Sequence, residues 1–332
     1  MQYNVVIGLD ISKSTLDATI VRFGKPESDH DSFLNKGFGF KQLRGWFESK
    51  LSEADQVLIC MEHTGHYAQK LLKYLQEYGY DSAQINPLKI KRSMGMRREK
   101  SDKADSKVIA LYGLRFQDEI FLEGVSDDEY LELQLLLAHR KRIQEKMLSF
   151  QRQEKYLKHC LSESYAKVII RDLAKYRKYF GKELKQTDAR LDDFIRSQPM
   201  LNQTYDLLQS IPGIGRIISL YSILYTKNFK GIDSARKFSC YSGVAPFKNE
   251  SGTSVRKGTR VSFYANRKMK GLLNFGAMNA VKADPQLRAY YQKKVEEKGS
   301  KMLVLNAVRN KLIHRMYAVV KRGTPYVLSP VH

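Results

Sequence analysis

Residues 3–10 read YNVVIGLD, and the reading of this stretch decides the fold. Val5, Val6 and Ile7 follow one another with no polar alternation, which predicts a central strand covered on both faces. Gly8 and Leu9 lead to Asp10, where the chain leaves the sheet. A charge placed there stays wet while the strand stays dry. A second buried run, QVLICM at 56–61, ends the same way, in Glu62.

Between these runs, residues 15–23 place Leu16, Ala18 and Ile20 on one face of a second strand. Gly24, Lys25 and Pro26 turn the chain, a third short strand surrounds Phe33, and Phe40, Leu43 and Phe47 mark a helix over 39–51. After Glu62 the pattern predicts a helix with Leu71, Leu72 and Leu75 on one face, then a fifth strand over 80–85. Residues 88–100 (LKIKRSMGMRREK) form a basic loop or frayed helix, with Arg97 and Arg98 as candidate nucleic-acid contacts. Asp102 and Asp105 open the next helix three residues apart, hence on one face. The order β-β-β-α-β-α-β-α, with acids ending strands one and four and a pair on a late helix, is that of the ribonuclease H (RuvC-like) fold. In that fold the first and fourth strands are neighbours, so Asp10 and Glu62 should be too.

Residues 125–180 hold no Pro or Gly. Leu136, Arg140, Ile143, Met147, Phe150, Glu154, Leu157 and Leu161 step as a heptad seam, and a second seam runs from Leu173 to Phe194. Together they predict a long antiparallel arm or a subunit-joining coiled coil. Gln198-Pro199 marks a boundary, so three domains are expected: 1–124, 125–199 and a mainly helical 200–332. In the last, SIPGIG at 210–215 reads as a helix–hairpin–helix turn, with Gly213 and Gly215 letting backbone N–H groups approach a phosphate. Helices are expected over 270–281 and 303–320.

The net charge of +22 is uneven: residues 200–332 carry 23 Lys+Arg against 6 Asp+Glu, whereas residues 1–124 carry 18 against 17. A block this basic calls for a polyanion, and nucleic acid is the default. Arg256, Lys257 and Arg260 lie in its densest stretch. No apolar run approaches the ~18 residues of a membrane span, and no signal-peptide layout opens the chain. The three scattered cysteines fit a reducing compartment and no disulfide framework, so the expected location is cytoplasmic, at the nucleoid, with no membrane partner.

Four acids at one site repel unless a cation neutralises them, and oxygen-only ligands favour magnesium, with manganese as a substitute. The segments GLDISKS (8–14), MEHTGHY (61–67), INP (85–87) and KSDKADS (100–106) resemble the signature of the DEDD transposases of the insertion-sequence one-ten (IS-110-type) family. SIPGIG (210–215), FSCYSGVAP (238–246) and NESGTSVRKG (249–258) resemble that family's C-terminal domain, in the same order along nearly the whole chain.

The resemblance implies a DNA recombinase that joins donor and target double-stranded DNA under the guidance of a structured, non-coding bridge RNA. It implies Asp10, Glu62, Asp102 and Asp105 as metal-binding acids, Ser251 as a nucleophile forming a covalent phosphoserine–DNA link, and homo-oligomers from dimer to tetramer with composite sites. Residue chemistry alone leaves Ser239, Ser242, Ser254 and Ser262 open as hydroxyls, and Tyr241, Tyr264, Tyr290 and Tyr291 open for a tyrosine reading. A metal-dependent junction nuclease with no covalent intermediate is the alternative. His63, His66 and Ser106 depart from the family pattern around the acids.

Overall fold

Gly8 sets how closely a helix can lie on the first strand. A Cβ built there would stand 2.1 Å from the Ser106 carbonyl oxygen and 2.3 Å from the Ala110 nitrogen, so only glycine admits that helix. The structure is a computed structural model describing residues 2–63, 65–93, 101–120, 122, 128–161, 163–251, 255–261 and 265–328, with backbone only at 66, 128, 163–164, 246–251 and 255–261. The chain divides into two compact units, Met1–Asp127 and Asp128–His332.

The first unit runs β1 (Val5–Ile11), β2 (Thr15–Arg22), β3 (Ser28–Leu34), α1 (Gly37–Glu48), β4 (Val57–Glu62), α2 (Gln69–Glu77), β5 (Ser82–Ile85), α3 (Pro87–Ser93) and α4 (Asp102–Arg115). The strand order is β3-β2-β1-β4-β5. β1 pairs antiparallel with β2 and parallel with β4, so strands one and four are neighbours as expected. This mixed α/β sheet is consistent with a RuvC-like fold. Strand alternation divides the core in two. Ile7, Leu9 and Ile59 face α1 and α2, while Val6, Leu58 and Cys60 face α4. The basic run expected as loop or frayed helix begins as α3, and its remainder, 94–100, lies outside the described residues.

α4 lies on the second face, antiparallel to β1: Gly113 meets Val6 and Cys60, and Ser106, a turn or two earlier, meets Gly8. The buried Ser106 hydroxyl bonds Thr19 of β2 at 2.7 Å, which accounts for a serine at this departure from the family pattern. Gly8→Ala must push the α4 backbone off the sheet. We expect it to destabilise the fold by about 1–3 kcal/mol or more, seen as a lowered melting temperature, and to carry Asp102 and Asp105 away from the strand ends.

The second unit runs α5 (Asp128–Cys160), α6 (Glu163–Ser197), α7 (Pro199–Gln209), α8 (Arg216–Thr226), α9 (Ala235–Tyr241), β6 (Pro246–Ser251), β7 (Val255–Val261), α10 (Arg267–Ala283), α11 (Pro285–Lys298) and α12 (Lys301–Arg322). It is mainly helical. α5 and α6 lie antiparallel, and the polar seam positions of α5, Arg140 and Glu154, find partners on α6. Arg140 bonds Asp188 at 2.6 Å, Arg177 reaches Glu154 at 3.0 Å, and between them the Phe150 and Phe180 rings stack 5.7 Å apart. Leu133, Leu137, Leu191 and Phe194 at the base of this pair join the core of the C-terminal helices. Among the described residues, no helix is long and apolar enough to cross a membrane.

Two elements of this unit are absent from the sequence expectations. The β6–β7 hairpin occupies the stretch that its charge marked as a basic contact region. α11 is started by Asp284, which accepts from the Leu287 N–H at 3.0 Å, with Pro285 at the first helical position. Asp284 is buried, paired to Arg315 at 2.6 Å, and its neighbour Tyr326 donates its backbone N–H to Ser210 at 2.7 Å.

Candidate active site

The end of β1 gathers the acids. The parallel ladder pairs Gly8 with Cys60 and Leu9 with Met61, so Asp10 and Glu62 are the next residues on adjacent strands. Both are half-buried and share the face on which α4 lies. Because α4 runs antiparallel to β1, its N-terminal turn points to this end of the sheet. Ser101 caps that turn, its hydroxyl accepting from the Ala104 N–H at 3.2 Å, so neither Asp102 nor Asp105 serves as the cap.

Electrostatics ties the four acids together. Asp10 is pushed up to about 6, first by burial and then by the charges of Asp105, Asp102, Glu62 and Asp17. Glu62 is raised as well, by burial and by Asp105. Asp17 is a fifth acid, missed in the sequence. It stands directly opposite Asp10 across the β1–β2 ladder, and His30 approaches it at 3.8 Å. Two acids seven positions apart around a short turn were the available signal.

Among the described residues no three His, Cys, Asp or Glu groups converge closely enough to hold a metal ion. The donor set still has the right chemistry for a hard divalent cation. It is carboxylate oxygen only, half-buried, with mutual repulsion that a cation would relieve. His63 is exposed and bonds the Gln84 side chain, and the His66 side chain lies outside the described residues.

Ser251 is the last residue of β6, its backbone paired with Val255 where the hairpin turns back. Its side chain, and those of Arg256, Lys257 and Arg260, lie outside the described residues, as do Arg97 and Arg98 altogether. Neighbouring hydroxyls can be placed. Ser239 and Ser242 are 2% and 0% exposed, and Ser239 is bonded to Asn310, so both belong to the interior. Tyr241 is half-buried, raised by burial, and its hydroxyl accepts from Asn266 at 2.8 Å. Tyr290 and Tyr291 are half-buried, and Ser254, Ser262 and Tyr264 fall outside the described residues.

The two glycines of SIPGIG differ. Gly213 has φ +90°, and a Cβ there would stand 2.3 Å from the Gly276 oxygen of α10, so close packing requires it. Gly215 precedes α8 beside open space, which leaves it the better placed of the two to approach a phosphate. Arg216, next along, turns back to Asp188 and Asp192 of α6 at 3.2 and 3.0 Å.

Comparison with known proteins matches residues 7–166 to a family model described as Transposase, of the DEDD IS110 type, and residues 205–292 to one described as Transposase IS116/IS110/IS902 family. The chain is 26% identical to the pilin gene-inverting protein of Moraxella bovis over 96% of this chain and 97% of that one. The same protein of Moraxella lacunata matches equally well. An uncharacterized 43.6 kDa protein of insertion element IS110 from Streptomyces coelicolor is 22% identical over 48% of this chain and 38% of its own length. The chain therefore carries IS110-family transposase domains and is homologous to these proteins. It is an enzyme acting on DNA.

Proposed function

We propose that this chain, an enzyme with IS110-family transposase domains, is an RNA-guided DNA recombinase of an insertion sequence. It would cut and exchange strands through a phosphoserine intermediate. The observation that carries the reading is the meeting of Asp10 and Glu62 on adjacent strand ends, under the helix turn that bears Asp102 and Asp105. The four acids would hold magnesium, which when bound supplies positive charge to the oxygens of the scissile phosphate. The Ser251 hydroxyl attacks the DNA phosphorus. A serine–phosphate bond forms, one P–O bond to the sugar breaks, the serine proton passes to a base and the freed sugar hydroxyl departs. Attack by a hydroxyl of the other duplex reverses the step, so bond energy is kept for rejoining. The Moraxella relatives are named for inverting a pilin gene, a rearrangement of DNA, and that supports a strand-exchanging role for this chain.

RNA guidance places sequence choice in base pairing, which suits a basic second unit that holds phosphate without reading bases. The test is to purify the protein from cells carrying its flanking DNA, sequence the RNA that comes with it, and incubate the complex with DNA bearing the element's ends. A discrete element-encoded RNA and a protein–DNA adduct on a denaturing gel are expected. Cutting of four-way junctions with no RNA and no adduct would favour the junction nuclease.

A further inference from the structure

Arg309 of α12 is 4% exposed, and among the described residues it has no carboxylate partner. Its guanidinium donates to two neutral side-chain oxygens, Asn306 Oδ1 at 3.2 Å and Asn274 Oδ1, while its buried Nε–H finds no acceptor among the described residues. A buried cation with only amides around it is destabilising, and an apolar side chain of similar volume would serve stability better. Stability therefore gives no reason for an arginine here.

Its partners give one. Arginine can only donate, so it turns the Asn306 oxygen toward itself and leaves Nδ2 aimed outward. That Nδ2 donates to the Val244 carbonyl at 2.8 Å. Val244 and Ala245 are the last residues before β6, and both donate backbone N–H groups to the Ser239 carbonyl, at 2.9 and 3.1 Å. On the other side, Asn274 sits two turns into α10, the helix that follows β7. The start of α10 is fixed by Asn266, whose backbone N–H donates to the Tyr241 carbonyl at 2.7 Å. Arg309 thus ties the residue that leads into β6, reached through Asn306, to the helix that follows β7, reached through Asn274.

We infer that Arg309 is a positioning residue for the hairpin that carries Ser251, acting through Asn306 and Asn274. The inference rests on the assignment of Ser251 as nucleophile. Ser251 lies seven residues beyond Val244, roughly 24 Å at ~3.4 Å per residue. Over that length a tilt of about 2–3° moves the tip by about 1 Å, and a misplacement of that size costs roughly 100-fold in rate.

Three variants test the role, each measured for adduct formation at saturating DNA, for DNA affinity and for melting temperature. Arg309→Met should melt no lower than the wild type and bind DNA within about twofold, yet form adduct roughly 10–100-fold more slowly. Asn306→Asp gives the guanidinium a carboxylate but loses the donor to Val244, so it should melt higher and still react slowly. Arg309→Lys, whose ammonium can donate to both amide oxygens, should recover part of the rate. Adduct formation at the wild-type rate in Arg309→Met, or rates that simply follow melting temperature across the set, overturns the positioning role. Ser251→Ala run beside them separates the two ideas. An adduct that survives in it removes the nucleophile assignment, whereas its loss alongside wild-type rates in the three variants removes the positioning role alone.

Discussion

Asp10→Asn is expected to melt above the wild type at pH 7.5 and to have lost DNA strand cleavage. The stability half follows from charge. Burial and the acids around it push the Asp10 carboxyl from 3.8 to about 6. A carboxyl whose folded pKa is raised disfavours the fold once ionised. That penalty is absent well below 3.8, grows between about 3.8 and 6, and is fully present above about 6. A shift of this size corresponds to about 3 kcal/mol at most, and half-exposure with solvent screening leaves about 1 kcal/mol. Asparagine has nearly the same shape and no charge, so it should raise the melting temperature by about 3 °C. The difference from wild type should shrink to a small remainder by pH 4 and vanish near pH 3, where Asp10 is protonated in both states.

The activity half runs the other way. If Asp10 is one of the acids that hold a divalent ion, removing its charge forfeits several kcal/mol of transition-state stabilisation, or about three orders of magnitude in rate. Magnesium should raise the melting temperature of the wild type more than that of Asp10→Asn, which lacks one of the charges that the ion relieves. Thermal melts at pH 4 and 7.5, with and without magnesium, and a cleavage assay check each part. A variant that melts lower and loses activity only in proportion would make Asp10 a structural residue and end the metal-site proposal. A gain in stability with a dead enzyme is the pattern of a site held together at the expense of the fold.

The first unit was legible because its signals are local and periodic. An unbroken apolar run ending in an acid occurs twice, and neighbouring strands bring the two ends together. Asp17 escaped notice because its position opposite Asp10 depends on the exact length of the turn between them, and one residue of slip would have sent it to the other face. The β6–β7 hairpin was hidden by charge. Its lysines and arginines suggest a solvated contact stretch, and its pairing is set by register, not by apolar alternation. Arg309 carries no sequence signal at all, since one arginine on an amphipathic helix reads as surface until burial shows otherwise. At Gly213 the structure adds a demand that the sequence does not show. The Pro-Gly-x-Gly spacing suggests a phosphate, and a crossing helix also meets the first glycine.

Ser251→Ala should abolish the protein–DNA adduct while leaving DNA binding and melting temperature unchanged. Ser251 contributes its backbone to the hairpin by pairing with Val255, and alanine preserves that pairing. Only the hydroxyl is lost. Removing the nucleophile of a covalent mechanism typically lowers the rate by at least about four orders of magnitude, so no adduct should be visible on a denaturing gel at any practical time. The competing hydroxyls are unequal rivals. Ser239 and Ser242 are interior, and reaching a phosphate from either would require the hairpin base to unfold. Tyr241 is half-buried, and burial disfavours the phenolate that would have to attack. The linkage chemistry gives an independent check on the wild type. Alkali releases a serine-linked strand by β-elimination and spares a tyrosine-linked one, and digestion followed by mass spectrometry should place the nucleotide on the peptide containing residues 249–256. An alkali-stable adduct, or one that persists in Ser251→Ala, would move the chemistry to a tyrosine and leave the hairpin as a DNA contact without a bond-making role.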